Sequence, residues 1–395
     1  MGKIIKRILQ LPQKEWYRLF TKTKEAIYFE SNPDFSDNAR ALFDYMIENG
    51  YNKRYKIYWA SNSENHEIKN IENVSIISKQ DKKEVVKTLY SCKYVFYTHG
   101  LSGWIREKKN QIIVNLWHGC GYKASRNKGK SKKFNIKAII NSGKMIFDYV
   151  LVPGNVFIKT KSEFFQCDKE KVIPYGYPRY DLLNKDYGNK DKISNAWNIK
   201  NRKVIMWMPT YRQTGDNSYK ENNMSNTYWL PLLTSDEDLE KLNKICKDNN
   251  IFLVIKRHRS QKIFMKYTMK DSSIIFIDDS DLEKLNVQLY NILQYTDALL
   301  TDYSSVAVDY LLLDKPLGFT LDDYEEYAKL RGFVFDNALE YMPGHHIYNI
   351  EDLQRFISDI SENKDLFKGR REMVMPEMHN SCDNYCKRII QKLGI

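Results

Sequence analysis

The sequence has no apolar run long enough to cross a membrane as a helix. Its longest candidates (94–98, 112–117, 149–153 and 251–255) are far shorter than the roughly 20 residues that such a helix needs. The first residues, MGKIIKRILQLPQKEW, begin with basic side chains, but Gln10 and Pro12 interrupt their apolar stretch and no cleavage-like end follows. We therefore expect neither a transmembrane helix nor a signal peptide.

The cysteines follow no metal-binding or redox pattern. No CxxC pair and no zinc-type spacing occurs among the six of them, Cys92, Cys120, Cys167, Cys246, Cys382 and Cys386. Free thiols in a cytoplasmic protein are therefore favoured over disulfides. Internal repeats and low-complexity tracts are also missing, which argues against a repeat architecture.

Composition indicates a folded protein with an anionic partner. The chain has 395 residues, and its 42% hydrophobic and 13% aromatic content excludes disorder. That length suggests two or three domains. The net charge of +12 suits a nucleic acid, an anionic membrane surface or a phosphorylated substrate, and composition alone does not choose among them.

Short β-branched or aromatic runs alternate with longer helical stretches. Because the strands are apolar throughout and their spacing leaves room for crossover helices, each of two sets predicts a parallel α/β sheet covered on both faces. The predicted strands are 55–59, 74–77, 94–98, 112–116, 149–153 and 172–175 in the first set, and 203–207, 251–255, 274–277, 298–301 and 316–319 in the second.

A polar stretch, 184–202, separates the two sets and predicts a linker. Two doubly wound domains leave a cleft at the carboxyl ends of their strands, where nucleotides usually bind. The polar segment 214–227 predicts a surface loop near that cleft.

Polar clusters follow several predicted strands. His118, in LWHGCGYK, has a glycine beside it and is either a cleft imidazole or a histidine in a turn. Arg179, in GYPRYDLL, can make a forked contact to phosphate or pair with Asp181; on its own, the salt bridge is the favoured interpretation. Thr210, in WMPTYR, can contact a ligand or cap a helix. His258, in IKRHRSQ, lies in either a phosphate pocket or a solvated basic turn.

The most informative cluster is TDYSSVAVDY (301–310). Ser304 and Ser305 open a predicted helix, whose first N–H groups and two hydroxyls suit a phosphate. Asp309 lies four positions after Ser305, so we expect it on the same face. Helix capping by Ser304 explains one serine but not the pair with Asp309.

In chain order, these motifs resemble those of the CDP-glycerol glycerophosphotransferase family, which makes teichoic acids and related polyol-phosphate polymers. The matching segments are WHG at 117–119, GYPRYD at 176–181, PTYR at 209–212, KRH at 256–258 and TDYSSVAVDY at 301–310. The upstream ESNPDFSDNARALFDYM (30–46) is similar to that family too.

The resemblance implies the GT-B fold, two Rossmann-like domains facing a cleft that binds a CDP-polyol, with no cofactor and no metal. It implies that His118 is the general base and that His258 assists at the pyrophosphate. An imidazole has a reference pKa of about 6.5, which suits that role. The implied donor contacts are Gly119, Arg179, Pro209, Thr210, Arg257, Ser304, Ser305 and Asp309.

Two stretches depart from the family pattern. After WHG the family commonly continues Thr-Pro-Leu-Lys, whereas this chain has CGYK (120–123). We expect that stretch to lie towards the acceptor, so it bears on acceptor identity. In PGHHIYN (343–349), His345 and His346 have no evident metal-ligand partners and are interpreted as structural. The acidic DDSD (278–281) resembles a metal cluster but predicts an exposed loop.

Two basic tracts account for much of the net charge. Residues 1–24 carry seven basic side chains (Lys3, Lys6, Arg7, Lys14, Arg18, Lys22 and Lys24) among apolar ones. We interpret this tract as an amphipathic membrane-surface segment that Pro12 divides into two short helices. Residues 123–137 add a second tract, which we expect to meet a lipid-linked diphosphate at an anionic leaflet: Lys123, Arg126, Lys128, Lys130, Lys132 and Lys133, followed by Lys137. The alternative for both is a solvated basic face.

The resulting prediction has three parts: the surface segment 1–24, an N-terminal acceptor domain 25–190 and a C-terminal CDP-polyol domain 191–395. The expected reaction transfers glycerol phosphate from CDP-glycerol to a lipid-linked, undecaprenyl-diphosphate-type or polyol-phosphate acceptor, at the cytoplasmic face of the membrane. A CDP-ribitol donor and a nucleotide-sugar glycosyltransferase are the alternatives. A nucleic-acid partner is disfavoured because no such motif occurs. Chain length favours a primase slightly over a polymerase.

Overall fold

A computed structural model describes residues 11–63, 65–101, 106–124, 146–186, 188–210, 230–256, 272–380 and 383–395. The strands are β1 Lys24–Glu30, β2 Lys56–Ser61, β3 Val74–Ser78, β4 Cys92–Tyr97, β5 Ile112–Asn115, β6 Tyr149–Leu151, β7 Val172–Ile173, β8 Lys203–Met208, β9 Ile251–Lys256, β10 Ile274–Ile277, β11 Ala298–Thr301, β12 Leu317–Thr320 and β13 His345–Ile347.

The α-helices are α1 Leu11–Phe20, α2 Asp37–Glu48, α3 His66–Lys69, α4 Lys82–Ser91, α5 Ile158–Phe165, α6 Asp181–Asn184, α7 Lys190–Trp197, α8 Asp236–Asp248, α9 Asp279–Lys284, α10 Leu289–Leu293, α11 Ser305–Tyr310, α12 Tyr324–Leu330, α13 Ile350–Ser361, α14 Lys368–Met378 and α15 Tyr385–Leu393. Single 3₁₀ turns occur at Tyr51–Lys53, Asn155–Phe157, Lys169–Lys171, Pro178–Tyr180, Leu311–Leu313 and Ala338–Tyr341.

The N-terminal unit is built on a seven-stranded parallel sheet in the order β3-β2-β1-β4-β5-β6-β7. The chain starts at the centre, winds to one edge and then returns to build the other side, which is the doubly wound order. Helices cover both faces, so the strand side chains are buried on both. Phe29 of β1 stacks on Trp59 of β2 and on Phe96 of β4, with ring centroids 5.3 and 5.2 Å away.

The C-terminal unit repeats the same order on six strands, β10-β9-β8-β11-β12-β13, all parallel. Its first strand, β8, is again central and contributes the fully buried Trp207. That ring packs in a core with Leu253 of β9, Leu300 of β11 and Phe356 of α13. The predicted fold class, two parallel α/β sheets, is confirmed.

All eleven predicted strands are present, and the described ranges contain two more, β1 and β13. β1 was missed because it follows directly on the basic N-terminal tract. β13 was missed because its two histidines do not signal a strand; it lies at the sheet edge, where His346 pairs with Phe319 in register.

The division into units differs from the predicted boundary at 190/191. One unit comprises 1–118, 129–181 and 379–395, and the other comprises 119–128 and 182–378. The C-terminal helix α15 belongs to the first unit because its apolar face is buried there and Asp181 accepts the N–H groups of Tyr385 and Cys386, each at 2.9 Å. Within the predicted linker, 190–197 form helix α7.

Helix α1 covers part of the predicted membrane-surface segment. It begins at Leu11, so Pro12 lies in its first turn, where proline is tolerated; residues 1–10 lie outside the described part. Its Trp16, Leu19 and Phe20 are 57, 62 and 68% exposed. None of the described helices is long and apolar enough to span a bilayer. The five cysteines in the described ranges carry free thiols.

A buried arginine provides a test of the C-terminal unit. Arg371 is 1% exposed and binds both carboxylate oxygens of Asp365, at 2.8 and 2.6 Å, and Asp314 at 3.1 Å. Replacing Arg371 with Met should lower the free energy of unfolding by about 2–3 kcal/mol, less than for a fully buried pair because both carboxylates remain partly hydrated. Denaturant unfolding followed by circular dichroism measures this.

The control is the neighbouring Arg370, which is exposed and donates to the carbonyl of Glu340. Arg370→Met should cost less than about 1 kcal/mol. Equal losses in the two variants would contradict the structural role assigned to Arg371.

Candidate active site

The candidate residues fall into two groups, one in each unit. His118 and Arg179 belong to the N-terminal unit, whereas Gly119 and the candidates at 209–210 and 304–309 belong to the C-terminal unit. Within each unit the candidates come after the carboxyl ends of strands, which parallel pairing places on the same side of the sheet.

The backbone that carries His118 is held from three sides. The Asn38 amide donates to the carbonyls of Leu116 and Trp117, at 3.2 and 2.8 Å. The Asn115 side chain accepts the N–H of Trp117 at 2.9 Å, and Arg179 donates to the carbonyl of His118 at 3.0 Å. These bonds stabilise a turn in which Trp117 has a positive φ of 55°. They therefore fix the backbone from which the His118 side chain projects.

The His118 ring contacts two other rings. The His99 imidazole stacks on it, with centroids 4.2 Å apart and an interplanar angle of 9°. The Trp117 ring lies at 4.1 Å, tilted by 38°. Lys161 of α5 lies over the indole, 4.7 Å from its centroid. His118 nevertheless keeps an exposed surface, so the ring is both held in place and reachable.

These surroundings favour the neutral imidazole. Desolvation by the adjacent protein, and then the neighbouring His99, Lys161 and Arg179, lower the pKa of His118 to about 3. A hydrogen bond to the Thr98 backbone opposes this shift. Because that bond favours the protonated ring, it is one in which a ring N–H donates to the Thr98 carbonyl, and the other ring nitrogen keeps a lone pair.

Arg179 is a structural partner of this turn. Its guanidinium is 4% exposed and pairs with Asp37 at 2.5 Å, while its backbone N–H donates to Asn38 at 3.3 Å. The salt bridge that we favoured from sequence is therefore present but with a different partner, since Asp181 accepts from the start of α15 instead. In this structure Arg179 orients the His118 carbonyl.

In the C-terminal unit, Pro209 and Thr210 follow β8, and Asp302 to Ser305 follow the adjacent β11. Thr210 donates its N–H to Asp302 at 2.9 Å and its hydroxyl to the other oxygen of the same carboxylate. Asp302 is fully buried. The two loops are thus tied together at one sheet edge, the edge at which doubly wound folds bind ligands.

The segment after His118 packs on this same edge. A Cβ at position 121 would lie 2.8 Å from the Cα of Ser305, so only glycine allows this approach. The carbonyl of Tyr122 accepts from Val334 at 2.7 Å, and Lys123 bridges to Phe333. The stretch that departs from the family pattern therefore belongs to the C-terminal unit.

Asp309 has a different environment from the one predicted. Its side chain is fully buried and accepts a hydrogen bond from the Tyr290 hydroxyl. Ser304 and Ser305 are half-buried at the start of the six-residue helix α11. The helix period places Asp309 near Ser305 along the chain, whereas packing turns its carboxylate towards α10.

Several predicted site residues lie outside the described ranges: Arg257, His258, Arg126, Lys128, Lys130, Lys132 and Lys133. Lys256, just before them, ends β9 and pairs with Asp279 at 2.7 Å. The DDSD stretch is no loop, since Asp278 caps helix α9. His345 lies 3.6 Å from Asp359, and His346 3.0 Å from the carbonyl of Met342. No metal-binding cluster occurs among the described residues.

Sequence reasoning missed four residues of these two groups: His99, Asp37, Asn38 and Asp302. Three lie inside the segments that resemble the family, in DFSDNAR (34–40) and TDYSS (301–305). His99 follows β4 as His118 follows β5, so the rule of polar residues at strand ends would have found it. Asp37 and Asn38 carry no such signal, because only the fold brings α2 to the turn at 116–118.

Proteins similar to this chain include enzymes of teichoic acid synthesis. A teichoic acid poly(glycerol phosphate) polymerase of Bacillus spizizenii is 28% identical over 80% of this chain and 79% of its own length. A glycerol-phosphate primase of Bacillus subtilis is 24% identical over 86% and 84%. A ribitol-phosphate polymerase of Staphylococcus aureus is 25% identical over 89% of this chain but only 58% of its own length.

A structure of the wall teichoic acid polymerase TagF has the same fold, with a TM-score of 0.75 at 22% identity over 99% of this chain and 95% of that one. This agrees with the predicted GT-B class. The sequence pattern of the CDP-glycerol:poly(glycerophosphate) glycerophosphotransferases matches residues 14–391. The chain therefore belongs to that family.

Proposed function

We propose that this protein transfers glycerol phosphate from CDP-glycerol to a hydroxyl of a lipid-linked or polyol-phosphate acceptor in teichoic acid synthesis. The observation that carries the proposal is the His118 imidazole, which follows a strand end, stacks on His99 and is held by backbone hydrogen bonds from Asn38 and Arg179. The acceptor oxygen attacks the β-phosphorus of CDP-glycerol. The bond between that phosphorus and the bridging oxygen breaks, this oxygen leaves with CMP, and the hydroxyl proton of the acceptor passes to His118. CMP leaves without a covalent enzyme intermediate.

Such a reaction needs positioning and charge stabilisation more than covalent chemistry. The three-sided backbone support of His118 supplies positioning. In the C-terminal unit, we assign the donor phosphates to Ser304 and Ser305 at the start of α11, with Pro209 and Gly119 shaping the backbone. Thr210 holds its loop to Asp302 through both of its donors. Asp309, bound to Tyr290, would support the helix start rather than contact the donor. His258 and Arg257 would stabilise the departing phosphate.

Ribitol phosphate is the second candidate for the transferred group, because ribitol-phosphate polymerases are among the relatives. Both donors share CDP, so residues that bind the nucleotide do not separate them. Incubation with CDP-glycerol, CDP-ribitol and UDP-sugars separately, with the released nucleotide identified by chromatography, distinguishes the candidates. We expect CMP release from CDP-glycerol. CMP only with CDP-ribitol, or UDP from a sugar donor, would contradict the proposal.

We further propose that the protein binds an anionic membrane surface peripherally and takes an undecaprenyl-diphosphate-type acceptor there. Helix α1 supports this, because the exposed Trp16, Leu19 and Phe20 accompany a strongly basic segment. Aromatic and aliphatic side chains of this kind insert at the lipid boundary, and basic ones attract anionic head groups.

Loss of the base should stop the reaction without stopping donor binding. His118→Ala should lower the transfer rate by about 10²–10⁴-fold, while calorimetric titration with CDP-glycerol shows an affinity close to that of the parent. His346→Ala, at a half-buried position in β13, is the control and should keep most activity. If His118→Ala retains more than about a tenth of the parent rate, the assignment of the base is wrong.

Close packing at Gly121 allows a test of the donor site. Gly121→Ala must displace either this segment or the backbone of Ser305, so we expect the affinity for CDP-glycerol to fall about tenfold or more, equivalent to about 1.4 kcal/mol. Gly369→Ala is the matched control, since in the described structure its added methyl has no neighbour within 4 Å beyond the adjoining residues and its own helix backbone. Unchanged affinity in Gly121→Ala would argue against a donor contact at Ser305.

The membrane proposal predicts a difference between acceptors. Replacing Lys128, Lys130, Lys132 and Lys133 with Gln should reduce turnover on a lipid-linked acceptor far more than on a short soluble analogue. Each lysine near an anionic bilayer contributes about 1 kcal/mol, so vesicle affinity should fall by a few powers of ten. Rising salt should have the same effect.

Sedimentation with vesicles containing anionic lipid measures the binding directly. Replacing Trp16, Leu19 and Phe20 with Ser tests α1 in the same assay. Equal loss of turnover on both acceptors would indicate that the lysines act elsewhere, and a parent protein that never sediments with these vesicles would refute the membrane proposal.

A further inference from the structure

A second histidine lies against the proposed base. His99 follows β4 and His118 follows β5, and these strands are paired, with Tyr97 opposite Asn115. The pairing brings the two rings into a parallel stack at 4.2 Å. Thr98, next to His99, lies 3.0 Å through its hydroxyl from Nδ1 of the His99 ring. The same residue provides the backbone hydrogen bond to His118.

The other charged groups around His118 are few in the described part of the chain. Lys161 approaches from α5, and Arg179 approaches from the 3₁₀ turn Pro178–Tyr180 with Asp37 as its carboxylate partner. Arg179 is therefore largely compensated, whereas Lys161 lies over Trp117 rather than over the imidazole. His99 is the titratable group in direct ring contact with the base.

We propose that His99 is a positioning residue for His118, holding its ring in orientation and in the neutral form. The inference rests on the proposed role of His118 as the base. Two imidazoles in van der Waals contact cannot both be protonated without strong repulsion. His99 thus keeps the lone pair of His118 available, and it favours release of the proton to solvent after each transfer. The flat stack also limits rotation of the ring.

The measurement follows each histidine ring separately. With histidine labelled at Cε1, NMR titration from pH 8 down to pH 2 covers the parent midpoint at about 3 and reports protonation of His118, assigned by its disappearance in His118→Ala. His99→Phe keeps a stacked ring but carries no proton. Because this variant lacks the imidazole of His99, the titration midpoint of His118 should rise by about one pH unit. The protonated fraction at pH 4.5 should therefore be about tenfold larger than in the parent.

A matched variant, Lys161→Gln, removes a positive charge near the same ring without touching the stack. Its midpoint shift should be smaller than that of His99→Phe. Activity supplies the second readout: the acid limb of kcat/KM should move to higher pH in His99→Phe, by the same amount as the NMR midpoint. At pH 8, His99→Ala should lower kcat more than His99→Phe does, with KM for CDP-glycerol within about threefold of the parent.

The results separate this inference from the proposed function. An His118 midpoint that is the same in the parent and in His99→Phe overturns the pairing, whatever the enzyme does with CDP-glycerol. A raised midpoint in a protein that does not turn over any CDP-polyol supports the pairing but refutes the function. Equal kcat in His99→Phe and His99→Ala refutes the orienting part of the proposal.

Discussion

Parallel strand pairing is the constraint on which both units depend. Parallel neighbours run in one direction, so their carboxyl ends, and the loops that follow, meet at a single edge of the sheet. In the N-terminal unit this edge brings together the residues after β4 and β5, which carry the two stacked histidines. In the C-terminal unit it brings together those after β8 and β11, joined by Thr210 and Asp302.

Hydrogen bonds to the backbone turn this placement into a usable geometry. Strand pairing alone would not fix the backbone conformation of the turn at 116–118. Asn38, Asn115 and Arg179 remove that freedom by occupying its carbonyl and N–H groups. Two of these partners come from distant parts of the chain, so the imidazole is fixed by the folded unit rather than by its own loop. Preorganisation of this kind is how an enzyme limits reorganisation during the reaction.

A glycine decides how the segment after His118 continues. Gly121 replaces the proline common in the family, and its missing side chain lets the backbone pass within contact distance of Ser305. The following residues then pair with 332–334. The sequence departure therefore corresponds to close packing within the C-terminal unit.

The amino-acid sequence alone determined the two parallel sheets, because buried β-branched and aromatic runs are a local signal. It also indicated that His118 follows a strand end, because its motif comes directly after the run that forms β5. It did not indicate β1, which begins inside basic residues, or the return of α15 to the first unit. Nor did it indicate that Asp309 turns towards Tyr290, or that His99 stacks on His118. Only the tertiary structure decided these, because each depends on contacts between residues far apart in the chain, for which local periodicity carries no information.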